Sequence, residues 1–237
     1  MESCGTREYR VSRSSPRSIS NAAVTILFVV PAALFAQAPT EPVSRTYTET
    51  RGSAVTTVQY RVSRDGAAIV VSSVDPTSTE EIRWTPGIGT TEWKVTEPAK
   101  GNDFQARRTG GLIHVTGTAK GRAVDRQVRV DGAPWYQVFG PIMDELLPAG
   151  AAQVEFWVVD PSDFALHRMQ VRRAGTERLS IRGTTVDTAK IHFSPAGALA
   201  PFWGADFWYR LSDGLWVTSR LPDQGVMTVS TVQELTP

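Results

Sequence analysis

Three histidines, His114, His167 and His192, are the residues of this 237-residue chain best suited to acid–base chemistry. A nucleophilic triad would add a Ser or Cys and an orienting carboxylate. All three histidines sit inside strand-like alternation, not on loops that a scaffold could aim. His192 lies between Ile191 and Phe193, and His114 between Ile113 and Val115, so both should point away from the apolar face. His167 shares a face with Ala165, Met169 and Val171 and is expected to be buried. No G-x-S-x-G elbow is present. The three read as ordinary strand histidines. A hydrolase would need an unorthodox site, built from His167 and two carboxylates.

Paired carboxylates serve glycoside hydrolysis, and Glu80-Glu81, Asp144-Glu145 and Asp160 with Asp163 are the pairs on offer. Neighbours on a strand point to opposite faces, so Glu80-Glu81 is a poor pair. All three read as turn and surface residues. Zinc would need three or four convergent ligands, and no H-x-x-x-H or H-E-x-x-H spacing occurs. Gly87-Ile88-Gly89 lacks the lysine and the helix of a phosphate loop. This reading assigns no catalytic residue, no metal ligand and no cofactor.

Two clusters remain. Arg168, Arg172, Arg173, Arg178 and Arg182 form the densest run of charge, suited either to an anionic lipid headgroup or to a solvated sheet face. Phe202, Trp203, Phe207, Trp208, Tyr209 and Trp216 crowd into fifteen positions. Around Phe207-Trp208-Tyr209 both strand faces carry an aromatic, so the strand is covered on both sides or lines a cavity. Large rigid rings with a polar tip make good walls for apolar ligands. The candidate ligand-binding set is therefore Trp135, Phe139, Phe207, Trp208, Tyr209 and Trp216. A packed core accounts for the same residues.

The elements that would carry these residues read as strand after strand. Val58, Tyr60 and Val62 alternate with polar residues before Asp65-Gly66, and Ala67–Val74 follows as the second arm of a hairpin. Trp84 and Trp93 flank Pro86-Gly87-Ile88-Gly89. Asp103–Arg108, Leu112–Thr118 and Arg122–Val130 come next. Then follow Gln153–Val159, Leu166–Arg173, Glu177–Arg182 and Thr185–Phe193. Phe207–Leu211, Leu215–Arg220 and Val226–Glu234 finish the chain, and Ser194–Gly204 is the longest irregular connection late in it. Such spacing predicts an all-β, antiparallel meander that forms a barrel or strongly curved sheet. One short central helix is predicted over Pro134–Leu147, where Trp135, Val138, Phe139, Ile142 and Leu146 share a helical face. Gly140-Pro141 interrupts it. Asp144 and Glu145 would face solvent.

Ahead of the strands, Ala22–Ala38 is a short apolar run behind a basic segment, the pattern of a secretory signal peptide. It is shorter than the roughly 20 residues that span a bilayer. Pro39 disfavours cleavage after Ala38, so the expected cut follows Ala36. The expected organisation is a leader over 1–36, a disordered start over 37–44 and a single β domain over 45–237. The whole chain carries 25 Lys+Arg against 24 Asp+Glu. Removing the leader's four arginines and two glutamates leaves 21 against 22, a net of −1. A near-neutral domain has no electrostatic footprint for nucleic acid. The only cysteine, Cys4, leaves with the leader, which excludes thiol chemistry, disulfides and a lipid-modified N-terminus. The membrane enters only through the export signal, and the expected location is periplasmic or secreted.

From Leu147 onward the order of signals resembles a group of bacterial secreted β-rich proteins of unknown function. These are similar in architecture to periplasmic lipoprotein-carrier proteins, in which a curved antiparallel sheet wraps around helical segments. The resemblance rests on Leu147-Pro148-Ala149-Gly150 before Gln153–Asp160, on Gly175-Thr176-Glu177-Arg178, on Thr188-Ala189-Lys190-Ile191 and on the closing hairpin Trp208–Val217. It covers under half the chain and brings no catalytic residues. The aromatic crowding, the export signal and the missing catalytic constellation together point to a non-enzymatic protein that binds an apolar or lipid-like ligand between the aromatic face and the central helix. A structural or interaction module of the cell envelope is the alternative.

Overall fold

The computed structural model describes residues 41–137, 140–147, 150–223 and 225–235, all within the unit Leu34–Pro237. The leader, its cleavage site and Cys4 lie outside the described residues. Eight strands come first: β1 (Val43–Arg51), β2 (Ala54–Asp65), β3 (Ala68–Val74), β4 (Thr79–Thr85), β5 (Gly89–Glu97), β6 (Asn102–Thr109), β7 (Leu112–Ala119) and β8 (Arg122–Arg129). Six follow: β9 (Gln153–Val159), β10 (Leu166–Ile181), β11 (Thr184–Pro195), β12 (Ala205–Arg210), β13 (Trp216–Asp223) and β14 (Val226–Val232).

All fourteen form one antiparallel sheet in the order β8-β7-β6-β5-β4-β3-β2-β1-β14-β13-β12-β11-β10-β9. It is two meanders joined where the first strand pairs with the last, Tyr47 opposite Val232. The expected antiparallel meander is present. Closure into a hydrogen-bonded barrel is not, because β8 and β9 remain the edges of the sheet. Side chains bridge those edges instead. Lys120 Nζ donates to the Ser162 carbonyl at 2.7 Å, Arg126 donates to the Asp163 carbonyl, and Phe164 meets Phe104 edge-on at 5.1 Å. Contact between β6 and the loop after β9 requires the sheet to curve until its two ends approach.

The topology also explains the connection from β8 to β9, which must cross from one edge of the sheet to the other. Pro134–Gln137 runs extended beside β9: the Trp157 amide donates to the Pro134 carbonyl and the Tyr136 amide to the Trp157 carbonyl, each at 2.9 Å. Thr90 closes the other side, donating to the Trp135 carbonyl at 2.7 Å. The predicted helix over 134–147 is therefore absent among the described residues. In its place are this extended segment and two single 3₁₀ turns, Gly140–Ile142 and Asp144–Leu146. The apolar spacing arose because the crossing is buried on several sides: Ile142, Met143, Leu146 and Leu147 are all in the core. Extended backbone beside an edge strand also satisfies amides that β9 would leave open.

Two other boundaries differ from the sequence reading. β1 carries no turn signal at its start; it begins at Val43, inside the segment expected to be disordered. Leu166–Arg173 and Glu177–Arg182 are one strand, β10, whose register shifts between Arg173 and Gly175. Ala174-Gly175 is thus a bulge, not a break. Beyond it the β10–β11 hairpin folds back over the sheet, and Arg182 reaches the Val232 carbonyl at 3.1 Å and Thr48 Oγ1 at 3.2 Å.

Candidate functional site

The aromatic set is divided between places. Phe207, Tyr209 and Trp216 face the core with Tyr47 and Tyr60. Tyr47 stacks on Trp216 with centroids 4.2 Å apart and donates to the Trp216 carbonyl at 2.7 Å. Tyr60 meets both rings edge-on, at 5.4 and 5.3 Å, and Phe207 lies 6.4 Å from Trp216. Tyr209 donates to the carbonyl of Gly140, and Gly140 itself lies flat on the Trp216 indole. A Cβ there would stand 2.5 Å from the ring. These rings pack on one another. Burial pushes the phenols of Tyr47, Tyr60 and Tyr209 upward, so they remain neutral donors.

Trp208 belongs to the opposite face. Its indole donates to Glu177 Oε2 at 3.1 Å, with Lys190 4.9 Å and Arg220 5.6 Å from the ring centroid. Alternation along β12 turns it away from Phe207 and Tyr209, and these cations cover it there. Trp135 is fully buried between Gly89 and Trp157, its indole donating to Gln137. Phe139 lies outside the described residues.

The histidines and carboxylates are likewise accounted for. His114 points away from the core as expected and meets Asp125 at 2.6 Å. His167 is exposed, not buried, with Asp160 3.6 Å away. Asp160 and Asp163 cap their own turn, accepting from the Ser162 and Ala165 amides. Asp144 and Glu145 correct another expectation: they are half-buried within the crossing segment. Burial pushes Asp144 to about 7, against backbone amides and Arg173. Burial and then the Asp144 charge push Glu145 to about 7, against Arg64. Glu80 shares this behaviour on the core face of β4, where burial raises it to about 7 despite the Trp93 indole donating at 2.6 Å. Among the described residues, no group of three or more His, Cys, Asp or Glu is placed to hold a metal.

A built groove lies elsewhere, on the side of β10 and β11 away from the core. The register aligns Arg172 with His192, His192 with Asp206 and Asp206 with Arg220, one residue from each of β10 to β13. The late irregular connection crosses this row as a 3₁₀ segment, Gly197–Phe202. It is tied down at both ends: the Ala196 amide donates to the Arg168 carbonyl at 2.8 Å, and the Trp203 indole donates to the Pro222 carbonyl at 3.1 Å. Between segment and sheet is a groove of about 530 Å³. Ala200, Pro201, Phe202, Trp203 and Pro222 make its apolar wall, and Gln170, Arg172, His192 and Ser194 its polar one. Phe202 is 83% exposed.

The polar wall is ordered from behind. His192 Nδ1 donates to Asp206 Oδ1 at 2.7 Å, and Lys190 donates to Asp206 Oδ2 at 3.0 Å. Burial alone would raise Asp206; the His192 and Lys190 hydrogen bonds outweigh it and hold the carboxyl below its ordinary value. Gly204 lies against the other edge of the imidazole, where a Cβ would meet Cε1 at 2.6 Å and Nε2 at 2.8 Å. Ser194 Oγ accepts from Gln170 at 3.1 Å. Asp206, His192 and Ser194 thus share a neighbourhood without a hydrogen bond from serine to histidine.

No protein-family model matches the chain, and no curated protein matches it. Among solved structures it is similar to a β-barrel-like protein of a domain of unknown function from Brucella abortus. The TM-score is 0.56 at 8% identity, over 81% of this chain and 96% of that one. This likeness shows a shared β-barrel-like fold. Alignments also extend over 84% of this chain to a protein named as a lipoprotein from Parabacteroides distasonis (TM-score 0.32, 11% identity, 96% of that chain). A hypothetical lipoprotein from Escherichia coli aligns over 83% of this chain (TM-score 0.34, 12% identity, 86% of that chain). Those two similarities are too low to carry an argument.

Proposed function

We propose that this is a non-enzymatic binding protein for an apolar or lipid-like ligand, exported to the periplasm or beyond, and that the ligand lies in the groove beneath Phe202. The observation that carries this reading is the apolar wall of that groove. Phe202 is 83% exposed beside Pro201 and Pro222, on a connection pinned at both ends. An exposed phenylalanine gives up the transfer free energy of burial, roughly 2 kcal/mol, which an apolar ligand would restore. The volume falls within the range of small-molecule sites, roughly 300–1,000 Å³. The buried rings of Phe207, Tyr209 and Trp216 serve the core in this reading.

Export rests on the leader pattern and is checked by mass spectrometry of protein secreted from a bacterial host, with Gln37 expected as the first residue. Binding is checked by titrating a neutral apolar fluorophore into that protein. Saturable 1:1 binding, displaced by dodecanol and weakened several-fold by Phe202→Ala, is expected. Binding that ignores Phe202→Ala would move the ligand elsewhere. A stable protein partner with no binding of small amphiphiles would favour an interaction module of the envelope instead.

A further inference from the structure

Four of the five clustered arginines are already engaged. Arg168 pairs with Glu155 at 3.0 Å and lies over Trp157. Arg173 donates to the Leu147 carbonyl at 3.3 Å, and Arg178 pairs with Asp187 at 2.8 Å. Arg182 holds the hairpin tip to Val232 and Thr48. Among the described residues, the Arg172 side chain alone of the five makes no ion pair or hydrogen bond, and it is the one that lines the groove. We infer that the ligand of this groove is an anionic amphiphile, a single acyl chain ending in a carboxylate or phosphate ester, with its charged oxygens on Arg172 and its chain along Pro201, Phe202 and Pro222.

The inference rests on the groove reading above and specifies its ligand. Three features support it. A free guanidinium offers a planar fork of donors that matches carboxylate and phosphate oxygens. The nearest carboxylate on the row, Asp206, has its charge balanced by Lys190 and is turned toward His192, so it does not compete for Arg172. His192 presents its Nε2 edge beside Gly204 within the same groove, adding a second polar group next to the guanidinium. Cation and apolar wall thus lie across one groove, the arrangement that an amphiphile with an anionic end would complement.

The test is calorimetric titration of the full exported protein with dodecanoate, dodecyl phosphate, dodecanol and inorganic phosphate. Both anionic amphiphiles are expected to bind roughly ten-fold or more tighter than dodecanol, the scale of one charge-assisted pair. Arg172→Gln should bring dodecanoate to parity with dodecanol without changing dodecanol affinity, and Arg172→Lys should restore part of the preference. The side chain is exposed, so an unchanged melting temperature in both variants controls for folding. Parity of dodecanoate and dodecanol in the unaltered protein would overturn the anionic headgroup while leaving the groove reading intact. Absence of binding by every amphiphile would overturn the groove reading itself. Inorganic phosphate binding as tightly as dodecyl phosphate would mark a free-anion site and contradict the acyl chain.

Discussion

Tyr47 and Trp216 lie stacked 4.2 Å apart, joined by a hydrogen bond from the tyrosine hydroxyl to the tryptophan's own carbonyl. They belong to β1 and β13, which β14 separates, so this pair fixes the curvature of the sheet where its two meanders join. Trp216→Ala should cost about 3–5 kcal/mol by leaving a cavity beneath Gly140. Denaturant unfolding measures the loss, and groove binding by the folded fraction should be unchanged. Tyr47→Phe should cost only about 1 kcal/mol, one hydrogen bond.

The gap between β8 and β9 depends on Phe164, whose ring is buried against Phe104 while its backbone has φ +58°. That left-handed conformation costs an L-residue roughly 1–2 kcal/mol, which burial of the ring offsets. Phe164→Ala removes the ring and keeps the strain; a loss of about 3–4 kcal/mol is expected. Phe164→Gly removes both and should be more stable than the alanine variant by about 1 kcal/mol. Thermal unfolding of the two variants decides it, and alanine proving the better replacement would contradict the account of the loop.

Gly204 permits the close approach of His192. Gly204→Ala should displace the imidazole and weaken its bond to Asp206, because a Cβ would stand 2.6 Å from the ring. The expected signature is a shift of the His192 ring resonances with His114 and His167 unmoved. Binding of dodecanoate should fall several-fold with dodecanol little affected.

Stability should depend on pH in two separate windows. Asp144, Glu145 and Glu80 are raised to about 7 in the folded protein, whereas in the unfolded chain such groups ionise near pH 4. Between about pH 4 and 7 the folded state therefore holds protons that the unfolded state releases, and stability falls as pH rises. Asp206, Asp213 and Asp75 are held below their ordinary values, so their contribution disappears only as pH falls below about 4. The melting temperature should decline from pH 5 to pH 8, and the double variant Asp144→Asn, Glu145→Gln should flatten that decline. A melting temperature that rises over this range would contradict the burial of the pair.

Much of the strand order was legible because hairpin turns are local. Asp65-Gly66 and Ser212-Asp213-Gly214 mark their turns by residue type alone. What depended on distant partners was not. The crossing segment over 134–147 carried helical spacing, yet its backbone found partners in Trp157 and Thr90 that only the curved sheet supplies. The bulge at Ala174-Gly175 looked like a strand end because a turn signal and a bulge use the same residue. The arginine cluster was visible, but its one unengaged member was not, since the register of β10 against β11 decides which guanidinium meets a carboxylate. The groove wall lay in Ser194–Gly204, visible in sequence only as a long irregular stretch.

The central claim, that an amphiphile occupies the groove between Arg172 and Phe202, is tested most directly by photo-crosslinking with a fatty acid carrying a diazirine in its chain. Mapping by mass spectrometry should place the label on residues 197–204 and on Pro222, and excess dodecanoate should abolish it. Label on Tyr47, Phe207, Tyr209 or Trp216 would return the ligand to the aromatic interior and contradict the account.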